Sequence, residues 1–439
     1  MLERLERTYL ALFREYPALI NIAIITGAGQ SAFALLNIYA LPVYLFDDLH
    51  LSGKLVGTTA ATFLVFETMF KFPMGRLSDR YGRRAFVSLG PALIALNPIF
   101  VISLPTRLWT LIYPLRAADG VGGGALWPPL LAMIGDLVRS QRRAAAMAFI
   151  NVVYASAIAV GILLGYLAAS VAHDHRAPFY AATVLLLIAG ATGRFGLPRL
   201  PPTRRESLDE AMPELAMVPP LTHVVEESPG EIAPAARRSA IERITRWLRS
   251  NRVLVQAMII SFLLVMAGMT LANFMVKYVS ELGFSTAQLA IMAVATGVPT
   301  LLLGLPLGNM ADRWGKSRAV RLSLAVSAVL MWFMPAASSG PLTLALVGGL
   351  LMASNIMGIP AWLALVSDLA PTQHRGSVIG VVAAAEGIGG GFGPILGGFL
   401  WDINHTYIFY AAAALLTLCA LVAAVALRGP ERHPDTERV

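Results

Sequence analysis

The chain has 439 residues, of which 56% are hydrophobic and only 14% charged, and its mean hydropathy is +0.66. A soluble domain carries about one quarter charged residues, so this composition excludes a water-solvated globule and fits a chain solvated by lipid. The net charge of +8 would suit a nucleic-acid binder, but the basic residues gather at the ends of apolar runs on one side, which excludes that class.

Twelve apolar stretches recur at about the 20 residues that a membrane-crossing helix needs. They run 17–45, 53–74, 85–104, 108–135, 144–171, 178–197, 253–280, 286–307, 319–338, 341–367, 376–400 and 407–427. The expected fold is all-α, with twelve transmembrane helices in two pseudo-symmetric six-helix bundles. Ahead of the first stretch, Glu3, Arg4, Glu6, Arg7 and Arg14 precede an apolar segment too long for a signal peptide and without a small-residue cleavage site, so no cleavage is expected. Lys54, Arg107 and Arg176 fall in loops on one side, Arg116 and Lys277 lie within spans, and the remaining basic residues sit at or near the other side. By the positive-inside rule that side is cytoplasmic, with both termini on it.

The first span offers Gln30 and Asn37 as residues that can line a cavity. In the second, Glu67 and Lys71 stand at i and i+4 in the favourable order, either as a local ion pair or as part of a proton site. That span runs into Gly75-Arg-Leu-Ser-Asp79-Arg80-Tyr-Gly82-Arg83-Arg84. Gly75 and Gly82 permit tight turns and close helix approach, Asp79 is an anion placed to meet a helix N-terminus or an arginine, and Arg80, Arg83 and Arg84 are anchors at the membrane face. In the fourth span Arg116 and Asp119 are one turn apart, ahead of Gly120, Gly122, Gly123 and Gly124, which let another helix come close. An ionisable group within a span costs about 2.5–3.5 kcal/mol on insertion scales, so each one is a functional candidate. This pair either handles a proton or merely neutralises itself. Trp127 in the fourth span, with Asn151 and Tyr154 in the fifth, adds cavity candidates.

Residues 198–250 form a Pro- and Glu-rich linker that no bilayer would accept. Near its end Ile241, Ile244, Trp247 and Leu248 share a helical face ringed by arginines, which suits a helix lying on the membrane or, equally, a basic stop before the seventh span. After it the marks of the first half return. Gly308-Asn-Met-Ala-Asp312-Arg313-Trp-Gly315-Lys316 repeats the earlier loop at an offset of 233 (79 to 312), kept also by Ser52 with Ser285 and Pro73 with Pro306. Pro128 with Pro360, Asp136 with Asp368, Arg143 with Arg375, Gly161 with Gly393, and Gly165 with Gly397 follow at 232. Two six-span halves with the same marks in the same order imply a duplicated unit, and an even number of spans makes the copies parallel. The expected boundaries are 1–197 and 251–428 for the bundles, 198–250 for the linker and 429–439 for a tail.

In the second half Asn273 shares a face with Thr270 and Lys277, while Asn355 and Trp362 lie in the tenth span as cavity candidates. Glu386 in the eleventh span has no cation within a turn of chain and is the strongest single candidate to carry a proton. The glycines that follow it, with Pro394, serve either a hinge or helix packing. The one cysteine, Cys419, can form no intrachain disulfide. There is no Gly-x-x-x-x-Gly-Lys-Ser/Thr loop and no paired ligand spacing, so an enzyme, an ATP-driven pump, a metal centre and a bound cofactor are not expected.

The loop after the second span, its weaker copy after the eighth, the span count and the central linker together resemble the major facilitator superfamily over essentially the whole chain. The resemblance implies a transporter whose halves rock about a central site. It also implies that Asp79 meets the start of the eleventh helix near Gly376 and that Arg83 pairs with Asp136, so that the loop and its copy (Asp312, Arg313, Gly315) form a conformational latch. The alternative is that the arginines only mark the cytoplasmic face. The fourth span resembles the family's arginine-led second motif, which more often has glutamine where this chain has Asp119. The glycines with Pro394 resemble the antiporter motif, yet that motif belongs in the fifth span, which here has Gly161 and Gly165 without proline. The direction of transport therefore stays open. The leading expectation is a monomeric, plasma-membrane, proton-coupled exporter of amphipathic small organic compounds, with protons and membrane lipid as its other partners. A proton symporter for a metabolite and a lipid or lysolipid translocator are the alternatives, and a non-transporting sensor ranks behind them.

Overall fold

In a bilayer the hydrocarbon supplies no hydrogen-bond partner, so a spanning backbone must satisfy itself, and long apolar runs become helices. The computed structural model describes residues 12–199, 252–284, 288, 314–368 and 375–427. Helices occupy Ala18–Asp48, Gly53–Tyr81, Arg83–Ser103, Ile112–Leu137, Ser140–Ala172, Ala177–Gly196, Arg252–Glu281, Lys316–Ala337, Pro341–Asp368, Arg375–Trp401 and Tyr407–Ala426. They account for every expected span except the eighth, of which only residue 288 is described; the linker beyond Arg199, Asp312, Arg313 and the 429–439 tail lie outside the described residues. Nine of the described helices are long and apolar enough to cross a membrane.

The helix pairing exposes the duplication. In the first half the first span packs on the fifth and sixth, and the third on the fourth and sixth; in the second half the seventh packs on the eleventh and twelfth, and the ninth on the tenth and twelfth. Each pair has its counterpart six spans later. The paired glycines explain part of this. The space a side chain on Gly161 would need is taken by the Ser31 backbone of the first span, and that on Gly393 by Met266 and Met269 of the seventh. Gly165 and Gly397 likewise lie against Tyr39 and Phe274. Phe195, Val171, Leu421 and Val425 turn outward and are more than half exposed, as side chains solvated by lipid must be.

The helices depart from regularity at several points. Gly82 and Gly315, at corresponding points of the halves, have φ of +96° and +91°, and a new helix starts on the next residue in each case. A side chain on Gly82 would meet nothing within 4 Å among the described residues, and its positive φ is what calls for glycine there. The third span breaks at Leu96 ahead of Pro98, which lacks an N–H for the helical ladder. The seventh span breaks at Asn273 and Phe274. The first span carries two π-helical turns, Leu35–Ala40 and Tyr44–Asp48, and widened turns of this kind frequently mark functional positions.

The halves meet along the second and eleventh spans. Gly53 and Gly57 lie against the backbone of Gly398 and Pro394, Val65 fills the space beside Gly391, and Thr68 the space beside Gly387. Nearer the arginine-rich end a side chain on Gly380 would meet none of the described residues within 4 Å. The eleventh helix continues unbroken past Pro394, and its glycines face both neighbours. Gly389, Gly393 and Gly397 turn to the seventh span, while Gly387, Gly391 and Gly398 turn to the second, so close packing accounts for the run.

Candidate functional site

The deepest charges lie inside the first bundle. Arg116 and Asp119 are 1% and 2% exposed and joined at 2.6 Å between Nη1 and Oδ2. Such a pair survives burial only when its remaining donors and acceptors are also met. Asn97, turned inward at the break in the third span, donates to Asp119 Oδ1 at 2.7 Å. Asn37, on the first π-helical turn, accepts from Arg116 Nη2 and donates to the Phe33 carbonyl. The Phe63 ring of the second span lies 4.7 Å from the guanidinium carbon. Arg116 Nε is buried and has no hydrogen-bond partner among the described residues. Four spans thus converge on one ion pair, and Asn37 is committed to it.

A second group lies on the seam between the bundles, near the middle of its helices. Glu386 accepts a hydrogen bond from Ser261 at 3.0 Å, and Ser261 accepts one from the Trp362 indole, also at 3.0 Å. Across the seam Lys71 pairs with Glu67 at 3.2 Å and lies close enough to act on the charge of Glu386. Along the chain Glu386 has no cation, and the fold supplies one from the other half. Tyr154 of the fifth span packs edge-on against Trp127 of the fourth, with ring centres 5.4 Å apart. Of the candidates, Gln30, Glu67, Trp127 and Tyr154 come from the first half, and Trp362 and Glu386 from the second.

The remaining cavity candidates lie elsewhere. Asn355 faces the ninth span, where Ser323, Ser327 and Ser354 form a polar seam. Asn273 is buried at the break in the seventh span, and Asn151 is exposed on the fifth.

At the arginine-rich end Arg83 is 7% exposed and bridges two carboxylates, Asp79 at 3.0 Å and Asp136 at 2.5 Å. It ties the loop to the end of the fourth span. Arg84 donates to the Arg194 carbonyl, and Arg80 stacks over Tyr81. At the opposite end the halves are clasped together. Asp402 accepts from the backbone N–H groups of Gly53 at 2.6 Å and Lys54 at 3.1 Å, capping the second helix from across the seam. Lys277 pairs with Asp47, and beside them Phe274 stacks on Trp401 while Phe46 packs against both rings.

With this geometry the chain matches the family model described as Major Facilitator Superfamily over residues 19–298 and 257–439. The chain belongs to the major facilitator superfamily. It is 26% identical to multidrug resistance protein 2 of Bacillus subtilis over 84% of this chain and 85% of that one. It is 23% identical to multidrug resistance protein 1 of the same organism, over 85% and 87%. The solved inward-open xylose transporter XylE of Escherichia coli superposes with a TM-score of 0.67 at 15% identity, over 92% and 95%, which is a likeness of fold. The chain is accordingly a multi-pass membrane transporter of the superfamily and not an enzyme.

Several partners escaped sequence reasoning. Asn97, Phe63 and Ser261 each sit in a span as ordinary packing or polar residues, and only the fold brings them to Asp119, Arg116 and Glu386. Asp402 reads as a loop residue, although its place just after the eleventh span mirrors that of Asp79 in the second.

Proposed function

We propose that this superfamily member is a secondary active transporter that expels amphipathic small organic compounds in exchange for protons, by rocking of its two bundles. The observation that carries the reading is Glu386 on the seam, held by Ser261, which is itself held by the Trp362 indole of the same half, with Lys71 of the other half close enough to act on its charge. A proton arriving at Glu386 removes its attraction for Lys71, so protonation changes the balance of forces across the interface that has to open and close. The surrounding aromatic and apolar side chains suit an amphipathic substrate. The names of the Bacillus relatives support export over uptake.

Orientation follows from the basic residues. The arginine-rich end with both termini is cytoplasmic, and the clasp of Asp402, Lys277 and Asp47 is outer. Bundles of 1–197 and 251–428, joined by a 198–250 linker and followed by a 429–439 tail, are the units that move. In this reading Asp402 caps the second helix when the outer side is closed, and Asp79 caps the eleventh near Gly376 when the inner side is closed, with Asp312, Arg313 and Gly315 supporting the copy of the loop. Each contact is available only in one state, as a two-state clasp requires.

The test is transport in proteoliposomes under an imposed proton gradient, with a fluorescent lipophilic cation as the probe. The expected result is gradient-driven export by the natural protein and its loss in Glu386→Gln, with substrate binding retained. Unchanged gradient-driven transport by Glu386→Gln would remove Glu386 from the coupling site, and uptake with the protons would favour a symporter.

A further inference from the structure

Where the third and sixth spans meet at the arginine-rich end, a groove of about 840 Å³ opens on the outside of the first bundle. It exists because the residues that would fill it are small: Ala92 on the third span, and Gly190 and Ala191 on the sixth. Leu89 and Leu187 form its apolar walls and are 48% and 52% exposed, so the groove faces lipid and not the seam between the bundles. Its mouth is different in kind. Arg84, Arg194 and Arg199 line it beside Tyr81, and among the described residues no carboxylate lines it. Arg84 is steered there by its hydrogen bond to the Arg194 carbonyl at the end of the sixth helix.

An apolar slot capped by three guanidinium groups matches one kind of neighbour, an acyl chain bearing an anionic head. Guanidinium groups recognise phosphate oxygens through their planar array of donors, and Tyr81 has the amphipathic ring favoured at the level of lipid headgroups. We propose that this groove seats an anionic phospholipid of the adjacent leaflet, with its phosphate between Arg84 and Arg199 and one acyl chain along Leu89 and Leu187. Because Arg84 ends the Gly75–Arg84 motif, the bound lipid becomes part of the surroundings in which that motif works.

The test uses the full-length, delipidated protein in detergent, with binding of dioleoyl phosphatidylglycerol and dioleoyl phosphatidylcholine followed by native mass spectrometry. The expected result is a retained phosphatidylglycerol that phosphatidylcholine does not replace. Arg84→Gln and Arg199→Gln should each weaken it about fivefold. Ala191→Trp, which leaves every arginine in place and fills an exposed part of the groove, should abolish it without lowering the thermal midpoint. Arg199→Gln, on an exposed side chain, keeps the test valid if the tryptophan variant folds poorly. Equal retention of the two lipids, natural affinity in Arg199→Gln or in folded Ala191→Trp, or displacement of the lipid by millimolar inorganic phosphate would overturn the proposal.

Discussion

At the scale of single residues, the buried Arg116 and Asp119 pair can be a structural fixture or a working part, and its energetics separate the two. Removing only the arginine strands a carboxylate in a dry interior, at a cost of about 3–5 kcal/mol, whereas replacing both charges by apolar residues of similar size is often neutral. Arg116→Met is therefore expected to lower the thermal midpoint strongly, and the double change Arg116→Met with Asp119→Leu to recover it. If the double variant is stable but does not transport, the pair serves function; full transport would make it scaffold. Asn97→Ala removes the hydrogen bond to Asp119 Oδ1 and should cost about 1–3 kcal/mol, measured as loss of thermal stability that Asp119→Asn partly relieves. The i, i+3 spacing makes the ion pair legible in the chain, because contacts along one helix are local. Asn37, Asn97 and Phe63 come from three other spans, and no local pattern announces them.

At the scale of elements, two uses of glycine separate cleanly. Gly82 holds a backbone conformation that other residues adopt only with strain of about 1–3 kcal/mol. Gly82→Ala should lower stability by that amount. Gly393 is needed for closeness instead, since a side chain there would come within 2.7 Å of the Met266 carbonyl and of Met269 Cβ. Gly393→Val should push the seventh and eleventh spans apart and cost about 1–3 kcal/mol in a thermal-shift assay, whereas Gly390→Ala, whose nearest neighbour is Val265 at 3.7 Å, should be tolerated. The repeat offset already pairs Gly161 with Gly393 and Gly165 with Gly397 in the chain. What the chain withholds is their job: hinge and packing leave the same glycines in a sequence, and only the unbroken helix with backbones against it distinguishes them.

For the whole molecule, the span positions and the duplication are legible because lipid imposes length and apolarity on each helix and a copied unit keeps its landmarks. The seam is less so. Lys71 and Glu386 are 315 positions apart in the chain (71 to 386), and the Asp402 cap on Gly53 joins helix ends from opposite halves, so both depend on how the bundles dock. Asp402→Asn keeps the shape of the cap but removes its charge, and should weaken closure at that end by about 0.3–1 kcal/mol, seen as faster labelling of a cysteine placed at Gln30. The rocking itself is most directly tested by pulsed electron-spin distances in a Cys419→Ala background, between labels at Arg107 and Ile403 on one face and at Arg76 and Arg318 on the other. Acidification should change the two distances in opposite directions, and Glu386→Gln should hold them fixed across the pH range. Distances that stay constant with pH in the natural protein, or that change together on both faces, would contradict a proton-driven rocking of the two bundles.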